Sequence, residues 1–172
     1  IKVSIPLFHL HYSRILASSK AYRMDIPQWM EENSLKSLLE NLYMESTLSG
    51  DARIRLTIFR SGDGRFTPTS NEATAIASIE HIDGNGFELN EKGIAIGLYQ
   101  DLKKTPSRIS NFKNLHSLIY VQAGYYAAEQ GLGDVLIINN LKQIIEATTS
   151  NIFLVLDGTL HTPKLEAGPV GG

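Results

Sequence analysis

GDVLIINNLKQIIEATTSNIFLVLDGTLHTPKLEAGPVGG (Gly133–Gly172) holds three apolar, β-branched runs in quick succession: DVLIINN, IIEATT and NIFLVLDGTLHTP. Runs of this composition, bounded by polar and glycine-containing breaks, read as strands. Asp157 and Gly158, inside the last run, supply the residues of a two-residue hairpin turn. Glu146 stands in the second run among apolar and small residues. A carboxylate in that setting needs a cationic or hydrogen-bonding partner, or takes up a proton, or faces water from an edge strand. The stretch ends in the turn-like AGPVGG.

Immediately upstream, NLHSLIYVQAGYYAAEQ (Asn114–Gln130) reads as a helix that is apolar nearly all round, closed by Gly131 at its C-terminus. GIAIGLYQ (Gly93–Gln100) reads as a strand. This half is expected to hold one buried helix and mostly antiparallel strands. IDGNGFELN (Ile82–Asn90) concentrates Gly, Asn and Asp and is the expected domain boundary, giving a first lobe over residues 1–86 and a second over 87–172. In the first lobe, HLHYSRILASSKAYRM (His9–Met24) has apolar residues near helical spacing. Leu35, Leu38, Leu39, Leu42 and Tyr43 follow the stripe of an amphipathic helix. ARIRLTIFR (Ala52–Arg60) switches to period two, with Ile54, Leu56 and Ile58 on one face and Arg53, Arg55 and Thr57 on the other. Ser61 to Gly64 form a turn, and a further strand is expected over Ala73–Ile79. The order of elements is that of an α+β protein with a small α/β first lobe and a second lobe of strands and helices.

The composition excludes several classes. Of 172 residues, 42% are hydrophobic, ordinary for a globular protein. Sixteen Lys plus Arg against eighteen Asp plus Glu leave a formal charge of -2, without the basic surplus that nucleic-acid binding requires. The absence of cysteine removes disulfides and thiolate metal sites. No run approaches the ~20 apolar residues of a membrane span, and no signal-type leader is evident, so a soluble, cytoplasmic protein without a membrane partner is expected. Opening at Ile1 and closing on AGPVGG, the chain is expected to continue at both ends.

GxSxG, Walker, HExxH and GxGxxG signatures are absent. His9 and His11 alternate on what reads as an extended segment, but no third ligand lies near, so no metal site is expected. Lys113 precedes the apolar helix, a position expected to desolvate its amine partly and favour the neutral nucleophile. Taken alone it reads as a solvated lysine, because lysines are rarely buried.

The stretch from Gly133 to Gly172 resembles the signature of class IV aminotransferases, the fold-type IV family of branched-chain and D-amino-acid aminotransferases and 4-amino-4-deoxychorismate lyase. The shared pattern is a glutamate, four small residues, Asn, an apolar residue and Phe, then a DG hairpin and TP. Lys113 and Glu146, thirty-three positions apart, match the family's lysine-to-glutamate spacing. HYSRI (His11–Ile15) is similar to the family's HxxRL, and ARIRLTIFRSGDGR to its RIR…RGxG strand and turn, with Ser61 in place of the second Gly. After Lys113 the chain reads Asn114, Leu115, His116, Ser117, where the family often has an Asn and a Tyr.

The resemblance implies a two-lobed fold-type IV enzyme, incomplete at both ends, whose second lobe binds pyridoxal 5'-phosphate. It implies Lys113 as the Schiff-base lysine and proton shuttle, and Glu146 as the partner of the ring nitrogen. Arg14 and the amides around Gly172 would hold the phosphate. Thr149, Ser150 and Asn151 would line the ring or order the glutamate strand. Arg55, Arg60 and Arg65 are candidate ligands of a substrate carboxylate, or else a solvated strand face. The implied reaction is amino transfer from an amino acid to a 2-oxo acid in a homodimer. The alternative is the lyase that releases pyruvate and 4-aminobenzoate. A catalytically silent relative is the third reading, opposed by the joint presence of Lys113, Glu146 and Arg14.

Overall fold

The computed structural model describes residues 3–83 and 90–171. The chain divides into two compact units, Ile1–Leu89 and Asn90–Gly172. The boundary expected between residues 86 and 87 lies outside the described residues.

The first unit sets two helices against a hairpin. Helix α1 spans Phe8–Ala21, and α2 spans Glu32–Glu45. Strands β1 (Ala52–Arg60) and β2 (Ala73–His81) pair antiparallel without a break in register, from Ala52 opposite His81 to Arg60 opposite Ala73. Phe8, Tyr12, Leu35 and Leu39 form the buried cluster, and Ile54, Leu56 and Ala77 pack onto it. The period-two reading of β1 thus matches the strand: Ile54 and Leu56 face the helices while Arg53 and Arg55 are exposed. One expectation is corrected here. His9 and His11 lie within α1 rather than on an extended segment, and residues two apart on a helix do not share a face.

The second unit is a three-stranded sheet covered by one helix, with a separate small hairpin. Strand β3 spans Ile96–Lys104, α3 Leu118–Glu129, β4 Asp134–Asn139 and β5 Ile144–Ala147. The sheet order is β3-β4-β5. The expectation of antiparallel strands is corrected in part: β3 and β4 run parallel, joined through α3, while β4 and β5 are antiparallel. A parallel pair needs a crossover connection, and α3 supplies it. Tyr99, Ala123, Ala127, Val135, Ile137 and Ile145 are buried together between helix and sheet. Full burial of each large aliphatic side chain contributes about 1.5–3 kcal/mol before entropy is counted.

Helix α3 begins later than its composition suggests. The Asn114 Oδ1 accepts the His116 N–H at 2.8 Å, and the Ser117 N–H donates to the Leu115 carbonyl at 2.8 Å. These tight turns occupy the backbone that a helix from Asn114 would need. At the other end Gly131, at φ +65°, reverses the chain as expected. Strands β6 (Leu154–Leu156) and β7 (Thr159–His161) form the final hairpin. Its turn residues Asp157 and Gly158 both have positive φ, 48° and 74°, the geometry that matches strand twist in a two-residue loop. Among the described residues no helix is long and apolar enough to cross a membrane.

Candidate active site

Glu146 is the organising residue of the second unit. It lies on β5 opposite Ile137 of β4 and is 3% exposed. Burying an ionised carboxylate is costly unless it is paired and hydrogen-bonded, and Glu146 is both. Its Oε1 accepts the Lys104 Nζ at 2.8 Å and the Tyr120 hydroxyl at 2.7 Å. Its Oε2 accepts the Val170 N–H at 2.8 Å. The Lys104 ammonium also donates to the Tyr120 oxygen at 2.9 Å, closing a three-membered polar cluster. Burial, and then the neighbouring Glu146 carboxylate, push the Tyr120 hydroxyl well above its ordinary value of 10.0, so it remains a donor at neutral pH.

Three asparagines fix the segment that Glu146 touches. The Asn111 Nδ2 donates to the carbonyls of Leu165 (2.8 Å) and Pro169 (2.7 Å), and its own carbonyl accepts the Gly171 N–H at 2.8 Å. The fully buried Asn139 donates to the Gln143 side chain and to the Ala167 carbonyl, while its Oδ1 accepts the Leu141 and Gln143 amides. The Asn151 Nδ2 donates to the Val170 carbonyl at 2.8 Å. Gly168, at φ +96°, reverses the segment where an added Cβ would stand 3.2 Å from the Cα of Pro106; a side chain there would be strained as well as crowded. The loop from Leu165 to Gly171 is therefore held from the strand ends and from the turn that precedes Lys113.

The structure brings some expected site residues together and leaves others apart. Glu146 and Asn151 meet on Val170, one at its N–H and the other at its carbonyl. Thr149 and Ser150 are exposed in the turn closed by the Ala147 N–H and the Ser150 carbonyl. Lys113 is exposed, in the irregular segment ahead of α3. The expectation that the apolar helix desolvates its amine is corrected, because that helix starts only at Leu118. The amides of Val170 and Gly171 already have acceptors in Glu146 and Asn111, so of the amides expected around Gly172 these two are engaged. Gly172 itself lies outside the described residues.

In the first unit Arg14 is exposed on α1, with its Nη2 3.4 Å from the His11 Nδ1. Arg55 is exposed on β1, and Arg65 is exposed in the loop between β1 and β2. Arg60 differs: it donates to the carbonyls of Tyr22 (2.8 Å) and Arg23 (3.0 Å) and to the Asn71 Oδ1 (2.6 Å). These contacts brace the end of α1 against the hairpin and engage the guanidinium that was expected to meet a substrate carboxylate or, failing that, to lie on a solvated face.

Lys104, Tyr120 and Asn111 were not singled out from the sequence. Lys104 follows Lys103 and reads as solvated; simple alternation from the buried Tyr99 would turn Lys103 inward. The β3–β4 register slips between Tyr99 and Lys104, and that slip brings Lys104 inside. Tyr120 was legible in principle, since it stands three residues before Ala123 and seven before Ala127 on the buried stripe of α3. A tyrosine hydroxyl in such a position needs a partner.

A carboxylate offers about four lone-pair positions, and among the described residues three are engaged, two at Oε1 and one at Oε2. Oε2 thus keeps a position for one further donor. That arrangement fits a carboxylate awaiting a protonated heterocyclic nitrogen.

The family model for amino-transferase class IV matches residues 2–172. A branched-chain aminotransferase from the archaeon Thermoproteus uzoniensis, solved with norvaline, is 25% identical with a TM-score of 0.77, covering 96% of this chain and 55% of its own. A putative 4-amino-4-deoxychorismate lyase from Legionella pneumophila is 17% identical with a TM-score of 0.80, covering 96% and 59%. An aminotransferase from Brucella abortus, bound to the co-factor PLP, is 20% identical with a TM-score of 0.78, covering 97% and 59%. The chain thus spans somewhat more than half the length of these structures. No curated protein sequence matches it. With a family match over nearly every residue and the fold of both units shared with solved members, the chain belongs to the class IV aminotransferase family.

Proposed function

We propose that the full-length protein carrying this chain is a pyridoxal-phosphate enzyme that transfers an amino group from an amino acid to a 2-oxo acid. The observation that carries the reading is Glu146: buried, paired, and with one acceptor position left at Oε2. Bound pyridoxal phosphate supplies an electron sink for the bond electrons released at the substrate Cα, and a protonated ring nitrogen deepens that sink. Glu146 holds the proton at that nitrogen. Lys113 would bind the cofactor aldehyde and, when the substrate amine takes its place there, would move the proton at Cα as general base and acid. Arg14 and the amide of Gly172 would each be a ligand of the phosphate, while Asn151, with Thr149 and Ser150, would order the glutamate strand and the loop beyond it. Arg55 and Arg65 remain as candidate ligands of a substrate carboxylate, with Arg60 bracing the strand that carries them. The active protein is a homodimer in this reading.

One observation favours a second reading. Two exposed arginines beside one strand and turn suit a substrate with more than one carboxylate, as aminodeoxychorismate has. The two reactions part after Cα proton removal, because transamination needs a 2-oxo acid acceptor to turn over and the lyase does not. The test supplies an amino-acid panel with 2-oxoglutarate or pyruvate and, separately, aminodeoxychorismate without acceptor. New amino acid in the first mixture is expected. Pyruvate and 4-aminobenzoate formed only in the second would replace the transferase by the lyase.

A further inference from the structure

We infer that Lys104 and Tyr120 are positioning residues for Glu146: together they fix its carboxylate through Oε1 and keep its Oε2 presented, so that the proton shared with a bound pyridine ring stays on the ring nitrogen. This rests on the proposed role of Glu146.

The geometry is asymmetric. Both side-chain donors converge on Oε1, at 2.8 and 2.7 Å, and among the described residues the Val170 amide is the donor to Oε2. The carboxylate is pinned at both oxygens while its remaining acceptor position lies on Oε2. Lys104 is nearly enclosed, its side chain 14% exposed against 4% for Glu146. Its ammonium also stands 5.6 Å from the centre of the Tyr120 ring, so the aromatic face adds to its surroundings.

Stability alone does not account for this arrangement. Enclosing an ion pair carries a desolvation cost that the pair's attraction need not exceed, and well-packed apolar residues often serve stability as well or better. The electrostatic consequence is specific. A cation in contact with Oε1 stabilises the ionised carboxylate more than it disfavours a second positive charge beyond Oε2, since Coulomb energy falls with distance. Removing that cation takes away this preference, so the shared proton moves from the ring nitrogen toward the carboxylate. The hydroxyl of Tyr120 acts in the same direction and more weakly.

The contact also separates the two lysines chemically. In pyridoxal phosphate the aldehyde and the ring nitrogen stand at opposite ends of the ring. An amine engaged by the carboxylate at the nitrogen end does not serve the aldehyde end. Lys104 therefore supports the carboxylate, and the covalent role falls to another amine.

The test uses full-length holoenzyme loaded with cofactor labelled with 15N in the ring, read by 15N NMR at neutral pH. The wild type is expected to give a protonated-pyridine signal. Lys104→Met is expected to move it toward the unprotonated position, Lys104→Arg to restore it, and Tyr120→Phe to shift it less and in the same direction. If Lys104→Met does not fold or load, the restored signal in Lys104→Arg and the displaced one in Tyr120→Phe carry the test. A wild-type signal in both Lys104→Met and Tyr120→Phe overturns the inference. An unprotonated ring, or no bound cofactor, in the wild type overturns the reading of Glu146 itself, and this inference with it.

Discussion

At the scale of single residues the clearest consequence concerns Tyr120. Its hydroxyl is held protonated by burial and by the carboxylate it donates to, so the folded protein retains a proton that the unfolded chain releases near the ordinary value of 10.0. The sign follows from proton linkage. A group whose acid form is favoured by folding contributes stability that is complete below its unfolded value and is lost as pH rises beyond it. Comparing urea midpoints of wild type and Tyr120→Phe from pH 8 to 11 isolates the effect from other titrations. The wild-type advantage is expected to be constant below about pH 10 and to shrink above it. An advantage that stays constant through pH 11 would contradict the placement of the Tyr120 proton.

At the scale of elements the loop from Leu165 to Gly171 depends on side chains from distant parts of the sequence. Asn111 is the strongest case, with two donated bonds to loop carbonyls and one accepted from Gly171. Asn111→Ala leaves both carbonyls without that donor, a change expected to cost about 1–3 kcal/mol and to weaken cofactor retention. Denaturant midpoints and a cofactor-binding titration check it; unchanged values in both would show that the loop stands without Asn111. The elements themselves were largely legible. Strand β1 was read to the residue because alternation and its flanking turn agree, and the Asp157–Gly158 turn because only a few residues accept positive φ at both positions. Parallel pairing of β3 with β4 was not legible, since hydrophobic pattern records which face is buried and not which way a neighbour runs. The late start of α3 was hidden as well: Leu115 extends the apolar pattern upstream of Leu118, and the tight turn from the Ser117 N–H to the Leu115 carbonyl, which a helix does not make, leaves no mark in that pattern.

At the scale of the whole molecule, the family was carried by the sequence and the wiring of the site by the fold. Glu146 could be singled out because a carboxylate among apolar strand residues is anomalous on physical grounds. Lys104 could not, because two adjacent lysines at a strand end look solvated until the register slip of β3 turns the second inward. The result is a chain with two lysines of chemical interest: an exposed Lys113 near the loop clamped by Asn111, and an enclosed Lys104 bound to Glu146. The account assigns the cofactor to the first and the carboxylate to the second. Borohydride reduction of the full-length protein with pyridoxal phosphate, followed by proteolysis and mass spectrometry of the labelled peptide, tests that assignment. The phosphopyridoxyl group is expected on Lys113, with loss of the label together with activity in Lys113→Ala. Label on Lys104, or an active Lys113→Ala variant, would contradict it.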